Sequence, residues 1–332
     1  MRRIGVVSLL FLWVFISAIS LAHASGQIVF TRSQYTRDGF EDAMSRGRSS
    51  GKGWWELHLR DICVINSDGS GLIQLTDDGV SYRPEWSPDG SKIAFYSGPP
   101  PTLDLHVMDP DGSNRRELVS NQNDIYDFIW SPDSSKILAF VKTRTPRNPE
   151  EAWIVSMDGS TKRMGSSEWA KGWNHWAPTG SEVVNPDRRL LAGLPDGLAW
   201  PEWSWDSKYI AFIHDDRLAI ADTNIVGKPE EWRASKLEPP CNQILEWSPD
   251  NMKVLFIVRG NVCSVNFDGK GVLNLSMSSA TDACWNIDGS QIAYTATDGR
   301  KGNTEIFIMN ADGTGHKQLT NTNYFHTDVD WR

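Results

Sequence analysis

The sequence predicts an all-β fold, a single closed β-propeller of four-stranded antiparallel blades. Three observations predict it. A Trp-Ser-Pro-Asp motif recurs along the chain, an Asp-Gly hairpin follows most copies, and no long stretch carries a helical period.

The clearest copies are Trp86-Ser-Pro-Asp-Gly-Ser-Lys-Ile-Ala-Phe95, Trp130-Ser-Pro-Asp-Ser-Ser-Lys-Ile-Leu-Ala139 and Trp247-Ser-Pro-Asp-Asn-Met-Lys-Val-Leu-Phe256. Looser copies start at Trp176, Trp203 and Trp285, and a seventh begins at Trp331. The intervals between these tryptophans are 44, 46, 27, 44, 38 and 46 residues. Each copy reads as a strand ending at Trp, a tight turn and a second strand. Pro fixes φ at the second turn position, Asp bonds the local backbone, and Gly accepts positive φ. The Lys-Ile-Ala-Phe type of stretch that follows is β-branched and aromatic, as suits a buried strand.

A second hairpin comes next, as in Ile62-Cys-Val-Ile-Asn-Ser-Asp-Gly69 and Ile306-Phe-Ile-Met-Asn-Ala-Asp-Gly313. Asp111-Gly112, Asp158-Gly159 and Asp268-Gly269 mark the same turn elsewhere. Two hairpins per repeat make four strands, which is one propeller blade. At the N-terminus, Ile28-Val-Phe-Thr-Arg32 matches a second strand with no Trp motif before it. The missing first strand lies in Asp328-Val-Asp-Trp331. The expectation is a propeller over 25–332 whose C-terminal strand, 326–332, joins the N-terminal blade, 27–76. That pairing would close the ring and leave no free sheet edge. Seven Trp starts predict seven blades, with the one over 176–203 abbreviated; six full blades plus an irregular segment is the alternative.

The Trp-Ser-Pro-Asp-Gly and Lys-Ile-Ala-Phe elements, followed by Asp-Gly-Ser and a Leu-Thr ending, resemble the WD40-like repeats of the TolB-type propeller family. The likeness runs from Tyr82 to Thr320, with 28–76 as a partial first copy. The resemblance implies the fold, and function only by class, because the family spans envelope proteins, propellers of prolyl-oligopeptidase-like enzymes and sugar lyases. It is confined to the propeller, since Ile28 already starts a blade strand where TolB itself carries an α/β domain.

Arg2 and Arg3 precede an apolar run from Val6 to Leu21, and Ala22-His23-Ala24 offers a cleavage site. Residues 1–24 therefore read as a secretory signal peptide, and the mature chain as periplasmic or secreted, with no membrane insertion after cleavage. Removing them takes away two arginines and no acid, moving the formal charge from −9 to −11. So acidic a chain lacks the basic footprint of a nucleic-acid-binding protein and suits cations or basic partners. Cys63 and Cys263 hold equivalent mid-strand positions and read as buried small hydrophobes. Cys241 and Cys284 lie near the starts of neighbouring repeats, where a disulfide would fit.

Signals for catalysis are weak. Gly47-Arg-Ser-Ser-Gly51 matches a nucleophile elbow, but it sits in a polar loop with no strand-turn-helix context. The Asp-rich turns lack the later Glu of a Ca²⁺ loop. Cysteine spacing matches no zinc motif, and only His175 and His326 fall near a channel-facing first strand. No cofactor, catalytic set or resident metal is expected.

Binding residues are expected in two places. The longest loops share one face: Ser33 to Arg60, Ser97 to Thr102, Thr143 to Glu150 and Thr297 to Gly302. The first carries Trp54 and Trp55, which suit a partner surface or a sugar. The innermost strands form the second place. One or three residues before the repeat tryptophans stand Glu85, Asp127, His175, Glu202, Glu246, Asp282, Asp328 and Asp330. Alternate strand residues share a face, so these would ring a central funnel. Unpaired, they would focus a negative potential suited to a cation or basic peptide. Paired, they would cap backbone N–H groups or meet neighbours such as Arg83. The function these features predict is a non-catalytic binding propeller for a protein, peptide or saccharide. The alternative is a small lyase or hydrolase acting through the funnel carboxylates and His175.

Overall fold

A computed structural model describes residues 26–35, 58–98, 103–119, 124–145, 148–164, 175–176, 183–184, 199–214, 217–222, 233–234, 243–276, 279–297 and 303–332. Its strands form six four-stranded antiparallel sheets and one two-stranded sheet. The six-bladed alternative therefore describes the four-stranded units. At the expected seventh, abbreviated blade the described residues are His175–Trp176 and Val183–Val184, paired with each other. Among the described residues, no helix is long and apolar enough to cross a membrane.

Blade one combines the two ends of the chain. Phe325–Trp331 is its innermost strand and pairs with Gln27–Tyr35, which pairs with His58–Asn66. Ile28 faces Trp331 across the ladder, and Arg332 N–H donates to the Gln27 carbonyl at 2.9 Å. Blades two to six follow in chain order, with innermost strands Ser81–Trp86, Asp124–Trp130, Ala199–Trp203, Gln243–Trp247 and Ala280–Trp285.

The turn after each Trp is built by side chains. In blade two the Ser87 hydroxyl donates to Asp89 at 2.7 Å and accepts the Lys92 N–H at 2.9 Å. Ser131, Ser204 and Ser248 make the same pair of contacts in blades three, four and five. The fourth turn residue takes positive φ throughout, as Gly90 (69°), Ser134 (59°), Ser207 (58°), Asn251 (61°) and Gly289 (70°). That is why Gly is frequent there but not required.

The second strand of each blade is apolar on both faces because it packs on both neighbours. In Ile93–Ser97, Ala94 and Tyr96 join a cluster with Phe128, Trp130 and Ile137 of blade three. Ile93 and Phe95 join Val29, Ile62 and Val64 of blade one. Similar clusters join blades four and five, five and six, and six and one. Trp176 is buried against Leu138, Phe140 and Ala152 of blade three. A Phe→Ala change at such an interface typically costs about 3–5 kcal/mol.

A tryptophan link, not anticipated from the sequence, repeats between neighbours. The Trp130 indole donates to the Glu85 carbonyl at 3.3 Å, Trp176 to Ile129 at 3.1 Å and Trp247 to Glu202 at 2.9 Å. Each acceptor precedes the Trp of the preceding unit. The two-stranded sheet thus engages blade three as a full blade would.

Three expectations change. The insertion after blade one's second strand is shorter than 33–60, because Tyr35 still pairs with His58. The segment 143–150 is not a long loop, since the strands continue and Thr145 pairs with Asn148. Cys284 is a free buried thiol, as are Cys63 and Cys263, so no Cys241–Cys284 bridge forms. Cys284 instead packs in the cluster between blades six and one.

Candidate functional site

The innermost strands of all six blades share a feature that periodicity does not reveal. Each has a one-residue register shift against its second strand, a β-bulge upstream of the Trp. Bulges re-aim side chains, so residues one and three places before Trp do not simply share a face. In blade five Glu246 lies toward the next blade's inner strand, whereas Ile244 is buried in the apolar core. At two bulges a non-glycine residue takes positive φ: Arg83 at 52° and Asp328 at 54°. Such strain persists only where the surroundings fix it, and the Arg83 N–H is held by the Thr31 hydroxyl at 2.9 Å.

The acids divide into two groups. Three cap backbone donors of the next blade. Asp330 accepts the Trp86 N–H at 2.6 Å, Asp282 accepts the Val329 N–H at 3.0 Å, and Glu246 accepts the Trp285 N–H. Asp127 is held by Arg83 at 2.7 Å, and Asp328 accepts the Thr327 hydroxyl at 3.0 Å. That leaves Glu85 and Glu202. Among the described residues, Glu85 has only a long contact with Arg83, at 3.9 Å. Among the described residues, nothing donates a hydrogen bond to the Glu202 carboxylate.

Electrostatics bring these groups together. Burial pushes Glu85 up to about 8, with Asp330, Asp127 and Asp328 adding to the rise and Arg83 opposing it. Burial also pushes Glu202 up to about 8, with Asp127 and Glu85 adding. Asp282 is pushed up to about 7 and Asp330 is raised, both chiefly by burial. Glu246 is raised well above its ordinary range, again by burial first. Glu85 nevertheless keeps 31% of its side-chain surface exposed, so solvent reaches it although protein surrounds it. Discounted for that water, the upward direction stands, because like charges from several blades reinforce it. Beside them Tyr96, almost fully buried, has a hydroxyl with no hydrogen-bond partner among the described residues.

The other expected site residues fare differently. His175 lies on the inner strand of the two-stranded sheet, and its side chain is outside the described residues, as are Trp54 and Trp55. His326 does not face the funnel. It is buried in blade one, with Nδ1 2.6 Å from the Thr304 carbonyl and 3.6 Å from Glu305, and burial pushes it down to about 4.

No family model matches the chain. It is 32% identical over 180 residues to dipeptidyl-peptidase 5 of Porphyromonas gingivalis, covering 49% of this chain and 26% of that protein. It is 34% identical over 155 residues to the Tol-Pal system protein TolB of Anaeromyxobacter dehalogenans, covering 46% and 33%. The chain therefore spans about a quarter to a third of these relatives. Among solved structures, TolB from Acinetobacter baumannii superposes with a TM-score of 0.59 at 15% identity, over 99% of this chain and 74% of that one. A Mycobacterium tuberculosis puromycin-hydrolysing peptidase superposes with a TM-score of 0.55 at 13% identity, over 79% and 49%. The repeated turn, the four-stranded blades and these likenesses together make the chain similar in fold to the TolB propellers.

Proposed function

We propose that this chain is an exported binding propeller that holds a basic segment of a protein or peptide partner in its acidic funnel. The observation that carries this is the division of the acids. Glu246, Asp282 and Asp330 are engaged in joining blades, whereas Glu85 and Glu202 have no hydrogen-bond donor among the described residues. Buried carboxylates without donors are costly to ionise, and a cationic group meeting them recovers that cost. The mature unit would be 25–332, released from a signal peptide over 1–24. Its ring would be closed by the C-terminal strand in blade one, with Trp54 and Trp55 on the same working face.

A direct test is titration of the mature protein with an oligolysine peptide. The double variant Glu85→Gln/Glu202→Gln should bind about tenfold more weakly or worse, the loss of roughly 1.4 kcal/mol. Equal affinity would remove the funnel from the account. The raised Glu85 and Glu202 also suit general acid-base work, which supports the lyase or hydrolase reading. The two readings part on turnover. Replacing His175, Glu202 and Glu246 together by Ala abolishes it in an enzyme and changes no reaction in a binding module.

A further inference from the structure

We propose that Asp104, His106 and Glu117, on the outer half of blade two, form a binding site for a divalent transition metal such as Zn²⁺. Asp104 and His106 lie two apart on the strand Asp104–Met108, so they project from one face. Their neighbours Leu105 and Val107 point the other way, into the cluster between blades two and three. Glu117, on the outermost strand Arg116–Val119, is directly opposite His106. A register shift between these strands pairs Leu105 with Val119 and His106 with Glu117. One ligand atom from each of the three residues lies within 4.8 Å of the other two. An ion between these three atoms would need only modest side-chain rotation to reach the metal–ligand distances of about 2.0–2.2 Å that zinc requires.

An independent observation points to a ligand. The Nδ1 atom of His106 is buried and has no hydrogen-bond partner among the described residues. A buried ring nitrogen left this way is costly, and metal coordination would satisfy it. The imidazole is also preorganised, its ring 5.5 Å from that of buried Phe95. Arg115 is paired with Asp78 at 2.5 Å, which offsets its repulsion of a cation. One imidazole with two carboxylates selects zinc and its neighbours in the series over Ca²⁺ and Mg²⁺. Glu117 is exposed, so the remaining coordination positions open to water.

The test uses the mature chain in the Glu85→Gln/Glu202→Gln background, which removes the funnel as a competing cation site. After zinc loading and dialysis, the protein should retain one Zn²⁺ per chain. Co²⁺ in its place should give a visible d–d band. His106→Ala should abolish that band and weaken Zn²⁺ binding at least about tenfold, in line with the effect of losing one supporting group at a metal site. Glu117→Gln, at an exposed position, repeats the test if His106→Ala does not fold. No retained Zn²⁺ in the parent overturns the proposal, and so does undiminished binding in the folded variants.

Discussion

Asp330 accepts the backbone N–H of Trp86 at 2.6 Å, so the last strand of the chain is joined to a blade that begins 244 residues earlier. The carboxylate sits one residue before Trp331 and caps the equivalent Trp of the next blade. Glu246 and Trp285 repeat the relationship between blades five and six. Removing this acceptor leaves a buried donor unsatisfied. Asp330→Ala should destabilise the protein by about 1–3 kcal/mol, while Asp330→Asn, which keeps an oxygen, should lose much less. Urea unfolding of both variants checks the difference; equal losses would mean that charge, not the acceptor, matters at this position.

The tryptophan link between blades predicts a second effect. In Trp247→Phe the Glu202 carbonyl loses the indole donor it holds at 2.9 Å, while most of the apolar contact is kept. The expected cost is about 1 kcal/mol, against roughly 3–5 kcal/mol for Trp247→Ala. Thermal unfolding of both variants separates hydrogen bond from packing.

Stability should depend on pH in two opposite ways. Glu85 and Glu202 titrate near 8 in the folded chain and Asp282 near 7, each from a lower unfolded value. Between those limits the folded state binds more protons, so their contribution is full below about pH 4 and is lost as pH rises to about 8. His326 acts the other way. Its folded value is about 4 against 6.5, so its contribution is full above pH 6.5 and is lost on acidification toward 4. Denaturant midpoints should fall from pH 6.5 to 8.5, and Glu85→Gln/Glu202→Gln should flatten that fall. An unchanged slope in the double variant would contradict the raised carboxylates.

Cysteine chemistry offers a fourth check. Cys63, Cys263 and Cys284 are buried free thiols, and burial pushes Cys63 and Cys263 up to about 11. All three should resist alkylation in the native protein and react once it is denatured, without a reductant. Peptide mapping that finds Cys284 in a disulfide would contradict the structure.

Much of the fold was legible because its signals are local. The Trp-Ser-Pro-Asp turn is specified within six residues by the Ser and Asp contacts, and Asp-Gly fixes the second hairpin. The pairing of Ile28 with Trp331 followed from a missing strand at one end and a surplus one at the other. The region after Trp176 was harder to read, because the next repeat tryptophan follows only 27 residues later, against 38 to 46 elsewhere. On the innermost strands, the identity of the acids was readable but their direction was not. A one-residue bulge turns Glu246 toward Trp285, and nothing in Ile244-Leu-Glu246 announces it. A register shift likewise places Glu117 opposite His106, two residues that no spacing rule connects.

The most direct test of the binding account is proton release. Calorimetric titration of oligolysine at pH 7, run in two buffers of different ionisation enthalpy, counts the protons released per peptide bound. Because Glu85 and Glu202 titrate near 8, a cation that meets them must displace their protons. The account predicts release of about one proton or more, falling toward zero in Glu85→Gln/Glu202→Gln. Binding without proton release, or with release unchanged in the double variant, would contradict it.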